Sequence, residues 1–153
     1  MASDQETIEQ RLQRLEDLEE IRQLFVDYGH SLDRHDFASY AQLFSEEAEL
    51  LLGPLGRATG RAAIREQMER AMPGDPGGSY HLITNPRITL DGDRATSEVM
   101  WSVVTRGADG SPVLSMLGRH RDVLVREDGR WRFQRREGHI DVPSRYPGGR
   151  PEA

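Results

Sequence analysis

The sequence contains no cysteine, which excludes disulfides, thiolate nucleophiles and cysteine-ligated metals. Lysine is absent as well: all 20 basic residues are arginine, a bias from which no function is read. No apolar run approaches the ~18 residues needed to span a bilayer. Met1 to Arg14 is polar and acidic and lacks the apolar core of a signal peptide, so the expected location is cytoplasmic, with no membrane partner. Nor is there an excess of positive charge. The net charge is −6 with arginines and acids interleaved, which leaves no basic face for a phosphate backbone, and nucleic acid is not an expected partner.

What remains is the balance of an ordinary globular chain, with 153 residues, 36% hydrophobic and 30% charged. The length fits one domain able to bury roughly two thirds of the surface of its unfolded chain. The expected fold class is α+β: three amino-terminal helices packed over a curved antiparallel sheet, a cone-shaped barrel closing around a mostly apolar pocket. Residues 1–10 are read as a flexible lead, 11–142 as the domain and 143–153 as a loose tail rich in Pro, Gly and Arg.

From Ile8, apolar residues recur at Leu12, Leu15, Leu18, Ile21, Leu24, Phe25, Tyr28 and Leu32, the steps of three and four that mark one face of a long helix. Ser3 or Asp4 is the candidate cap, Gly29 interrupts the last turns, and the polar run Asp33 to Asp36 ends the helix. Asp36 then caps a short second helix carrying Phe37, Tyr40, Leu43 and Phe44. Ala48 to Leu52 reads as a short strand closed by a turn at Gly53 to Gly56, and Thr59 as the cap of a third helix over Gly60 to Met72. Pro73 to Gly78 is a loop by composition, placed to act as a lid. Beyond it the period changes to two. Four strands follow, Tyr80 to Leu90, Ala95 to Arg106, Val113 to Arg126 and Arg130 to Asp141, joined by acidic glycine turns into a meander.

Asp33 stands where a helix end already carries partial negative charge, so stability alone would favour a cation there. Tyr28 lies five residues earlier, about 140° around the helix, and can share a pocket with it only from a flanking position. His81 opens the first long strand, and alternation places it on one face with Ile83 and Asn85. An imidazole inside a pocket needs a partner, and a carboxylate such as Asp33 would orient it as a general base. The plainer readings are a satisfied structural histidine, and an Asp33 that pairs with Arg34. A metal cluster of His30, Asp33, His35 and Asp36 is the weaker reading, because Asp36 is better explained as a cap and His30 suits a helix end. Neither metal nor cofactor is expected. His120 reaches the same pocket if its face matches that of Met116 and Gly118. His139 is ambiguous, and Trp101, Trp131 and Phe133 read as core or pocket wall.

The runs Leu15 to Ile21, Tyr28 with Leu32 to Phe37, Leu43-Phe44, Gly60 to Ile64, His81 to Pro86, Leu90 to Ala95, Gly118 to Asp122 and Asp128 to Phe133 together resemble the nuclear transport factor 2-like superfamily, and within it the SnoaL-like proteins. The resemblance implies the scytalone dehydratase, bile-acid 7α-dehydratase and lindane dehydrochlorinase group, whose Asp–His dyad falls at Asp33 and His81, with a pocket tyrosine at Tyr28. It departs at Val103 and Ile140, where that group's bile-acid enzyme has an aspartate and an arginine. The catalytic aspartate of ketosteroid isomerase would fall near Leu51 or Leu52, so that mechanism is not implied. The expected catalytic set is Asp33, His81 and Tyr28, and the expected substrate-binding set is Trp101, Val103, Met116, His120, Ile83, Asn85 and Ile140. The implied function is a cofactor-independent dehydratase-type lyase or isomerase for a hydrophobic, polycyclic or carbonyl-containing molecule such as a steroid or polyketide. A non-catalytic binding or assembly module and the small subunit of a ring-hydroxylating dioxygenase are the alternatives. A homo-oligomer, trimer or dimer, formed through the exposed face of the sheet is also implied.

Overall fold

A computed structural model describes residues 6–143. The first helix, α1, runs Ile8–Asp33. It is capped by Thr7, whose hydroxyl accepts from Gln10 N while the Gln10 side chain returns to Thr7 N, a capping box. The cap is therefore Thr7, and residues 8–10 are helical rather than part of a loose lead; Ser3, Asp4 and nearly all of the expected tail lie outside the described residues. Gly29 does not interrupt α1, which stays helical to Asp33. The apolar stripe is buried only from Ile21 onward, while Ile8, Leu12 and Leu15 are exposed.

Helix α2, Phe37–Gln42, is capped by the Asp36 carboxylate, which accepts from Ser39 N at 3.1 Å. The chain then enters a strand earlier than the apolar spacing suggested. Strand β1 spans Phe44–Leu51, so Phe44 belongs to the sheet and not to the second helix. A single 3-10 turn at Gly53–Leu55 and strand β2, Arg57–Thr59, lead to helix α3, Arg61–Ala71. Its cap position is Gly60 with no side-chain hydrogen bond; Thr59 is the last residue of β2.

Strands β3 (Ser79–Asp91), β4 (Arg94–Arg106), β5 (Pro112–Glu127) and β6 (Arg130–Val142) form the expected meander. Asp128 and Gly129 both have positive φ, 51° and 73°, the two-residue turn that suits strand twist. The sheet order is β2-β1-β6-β5-β4-β3, and β1 pairs with β6 in parallel, so the sheet is mostly rather than wholly antiparallel. The chain is thus α+β, three helices on one face of a six-stranded sheet. No helix among the described residues is long and apolar enough to cross a membrane.

The core fills the space between α1, α2, α3 and the inner face of the sheet. Phe25, Tyr28, Tyr40, Phe44 and Phe133 form a run of rings with centroids 5.0–6.1 Å apart. A polar clasp holds the first half of α1 to the β5–β6 hairpin: Arg126 lies 2.6 Å from Asp17 and 4.8 Å from the centre of the Trp131 ring, and Trp131 Nε1 donates to the same carboxylate. Burial alone would push Asp17 up, but hydrogen bonds from Arg126, Trp131 and Gln13 outweigh it and hold the carboxyl below its usual value.

Candidate functional site

Strand β3 is a sheet edge, and α1 covers it. The close approach favours Gly29, since a Cβ there would stand a tight 3.2 Å from the His81 carbonyl oxygen. One turn later Asp33 ends the helix, and its Oδ1 accepts two hydrogen bonds from His81, from the backbone N–H at 2.9 Å and from ring Nδ1 at 2.8 Å. An ionised carboxylate only accepts, so Nδ1 is the donor, and in a neutral ring Nε2 keeps its lone pair. Both side chains keep some exposure, 18% for Asp33 and 16% for His81.

They line a cleft of about 300 Å³ between α1 and the free edge of β3. Phe25, Val26 and Gly29 form one wall, Leu82 and Ile83 the other, and His30 joins Asp33 and His81 as the titratable groups. Apolar walls with a few convergent polar groups are what a small-molecule site requires, and this volume is at the lower end of such sites.

The remaining candidates lie elsewhere. Tyr28 is 2% exposed and does not line the cleft; its ring is packed against Tyr40, His120, Phe133 and the Arg136 guanidinium. Of the substrate-binding set, Ile83 alone lines the cleft. Asn85 does not share its face: a register shift between Thr84 and Arg87 breaks the alternation, Asn85 has φ 52°, and its exposed amide donates to Met100 Sδ. Val103 pairs with both His81 and Met116, so these three form one inner row, and the next row is Ile83, Trp101, Gly118 and Ile140. Trp101 can lie over the sheet there because Gly118 has no side chain, and a Cβ at that position would meet the indole at 2.5 Å. His120 sits between Trp101, stacked at 5.7 Å, and the edge of Tyr28 at 5.4 Å.

The interior is also less apolar than the sequence suggested. Arg136, fully buried, makes a two-pronged ion pair with Asp122 at 2.7 and 2.8 Å, and Ser97 donates to the same carboxylate at 2.7 Å. The guanidinium carbon stands 4.0 Å from the Phe133 ring centre and 4.2 Å from that of Tyr28. Burial works against the charge of Arg136, but Asp122 more than offsets it and raises its pKa. Neither residue was singled out from the sequence. The available signal was alternation, because Gly118, His120 and Asp122 fall on one face of β5.

Burial, and then the charge of Arg136, push His120 well below the ordinary histidine value of 6.5. A depressed histidine contributes stability that is present above that value and is lost as the pH falls toward the folded-state pKa, because the unfolded chain binds a proton the folded one refuses. His120→Phe keeps an aromatic ring in the slot and removes this linkage. Wild type should lose stability with a slope of up to about 1.4 kcal/mol per pH unit below pH 6.5, and the variant should show a flatter profile in urea unfolding. Parallel profiles would mean that His120 is hydrated.

An uncharacterized protein of Mycobacterium tuberculosis (strain H37Rv) is 30% identical over 118 residues, covering 76% of this chain and 80% of its own. A crystal structure of a nuclear transport factor 2-like protein with a cystatin-like fold from Novosphingobium aromaticivorans superposes with a TM-score of 0.82 at 30% identity, over 95% of both chains. A candidate scytalone dehydratase from the same organism superposes with a TM-score of 0.70 at 25% identity, over 83% of this chain and 85% of that one. The SnoaL-like domain is matched over residues 13–137, and this chain accordingly belongs to the SnoaL-like family of nuclear transport factor 2-like folds.

Proposed function

We propose that the protein is a cofactor-independent lyase of dehydratase type, or an isomerase, acting on a hydrophobic, ring-bearing molecule with a carbonyl group. His81 Nε2 removes a proton from the carbon next to the carbonyl. Asp33 holds the ring through Nδ1 and balances the imidazolium charge that develops. Apolar walls from Phe25, Val26, Leu82 and Ile83 take the rings of the substrate. The observation that carries this reading is the 2.8 Å contact between Asp33 and His81 Nδ1 on the wall of a cleft. The likeness to a candidate scytalone dehydratase supports the same reaction class.

The test is turnover of ring-bearing β-hydroxyketones, beginning with the aldol of benzaldehyde and acetone, followed by enone absorbance with wild type, His81→Ala and Asp33→Asn. Loss in both variants is expected, and unchanged rates in either would remove the mechanism.

A second reading has its own support, since Asp33 Oδ1 also accepts the His81 backbone N–H and so fastens α1 to an edge strand. In a binding module without chemistry, Asp33→Ala, which removes the acceptor, would lower the melting temperature while no turnover existed to lose. The outer face of the sheet exposes Tyr80 and Leu114, aligned across Val104 of β4, which fits self-association as a dimer or trimer. Leu114→Glu should then yield a monomer by light scattering, and an unchanged mass would place any contact elsewhere.

A further inference from the structure

An elimination that expels hydroxide needs an acid as well as a base, because the departing oxygen must be protonated as the carbon–oxygen bond breaks. Tyr28, a member of the expected catalytic set, is buried away from the cleft. Asp33 is engaged by two donors on one oxygen. Among the described residues lining the cleft, one further proton donor remains, His30. It lies three residues before Asp33 in α1, and residues at that spacing are neighbours on one helix face. Its side chain is exposed, and no described hydrogen bond or ion pair engages it. A histidine can deliver a proton near neutral pH, which an exposed tyrosine or arginine does far less readily.

We propose that His30 is the general acid of the reaction and that the substrates are β-hydroxycarbonyl compounds whose hydroxyl leaves toward the α1 wall of the cleft. His81 Nε2 takes the proton from the carbon next to the carbonyl. The electron pair left behind becomes the carbon–carbon double bond as the carbon–oxygen bond breaks. The His30 imidazolium passes its proton to the leaving oxygen, giving an enone and water. Proton exchange through solvent returns His81 to neutral and recharges His30. This assignment rests on the elimination reading above and adds the identity of the acid.

Two probes separate the roles, the benzaldehyde–acetone aldol and its para-nitrophenyl ether. Both give the same enone, but nitrophenolate departs without protonation. His30→Gln should lower kcat on the hydroxyl probe about 100-fold and on the ether less than about threefold, with little change in KM. His81→Ala should be slow on both. An equal loss on both probes, or wild-type rates on the hydroxyl probe, would overturn the role of His30 while leaving His81 in place. A wild-type protein inert on both, or indistinguishable from His81→Ala, would overturn the elimination reading itself.

Discussion

Arg136→Met is expected to destabilise the fold by about 3–5 kcal/mol, because it leaves the Asp122 carboxylate buried among carbon atoms without its counter-charge. Asp122 is 4% exposed and Arg136 is 0% exposed, so water cannot replace the lost bonds without opening the sheet. Ser97 supplies one remaining donor, which is too little for a carboxylate that loses two charge-assisted bonds at once. The double variant Asp122→Leu with Arg136→Met removes both desolvation penalties and should recover most of the loss, since apolar replacements of a buried pair are often neutral or better. Urea unfolding of the two single variants and the double variant gives the coupling directly. A single variant costing less than about 1 kcal/mol would show that the pair is hydrated and contributes little.

The second large effect concerns rate rather than stability. His81→Ala removes the proposed base, and turnover should fall by about 100-fold to 10,000-fold. Asp33→Asn is the more informative change. An asparagine oxygen can still accept from the His81 backbone N–H, so the strand contact survives. The ring, however, loses the carboxylate that fixes its tautomer and balances its positive charge. Turnover should therefore fall about 100-fold or more while the melting temperature shifts by only a few degrees. A large melting shift with unchanged turnover would identify the pair as a fastener.

The meander was legible in the sequence because period-two alternation and acidic glycine turns are local signals, and the four long strands begin and end within one residue of expectation. The pairing of β1 with β6 was not, since it joins residues some 86 positions apart and leaves no local pattern. Leu43-Phe44 completes a helical spacing, yet Phe44 is drawn into the sheet to meet Phe133 and Tyr40. The cap of α1 could have been read from Thr7 and Gln10, which have the spacing of a capping box. The contact of Asp33 with His81 was legible from an acid at a helix end, from the face on which strand alternation places the histidine, and from resemblance. Tyr28 was carried along by resemblance and by helical proximity, but its position on α1 directs it into the aromatic core. Arg136 and Asp122 were passed over because charged residues in strands are usually read as solvated.

The double hydrogen bond on one oxygen of Asp33 links two properties that proteins usually control separately. The backbone N–H that it covers belongs to the outermost strand, the kind of unsatisfied donor through which sheets join end to end into larger assemblies. A substitution at Asp33 that also removes the acceptor, such as alanine, would uncover that donor and promote aggregation. The side chain that orients the imidazole would then also be one of the features that keep the chain dispersed.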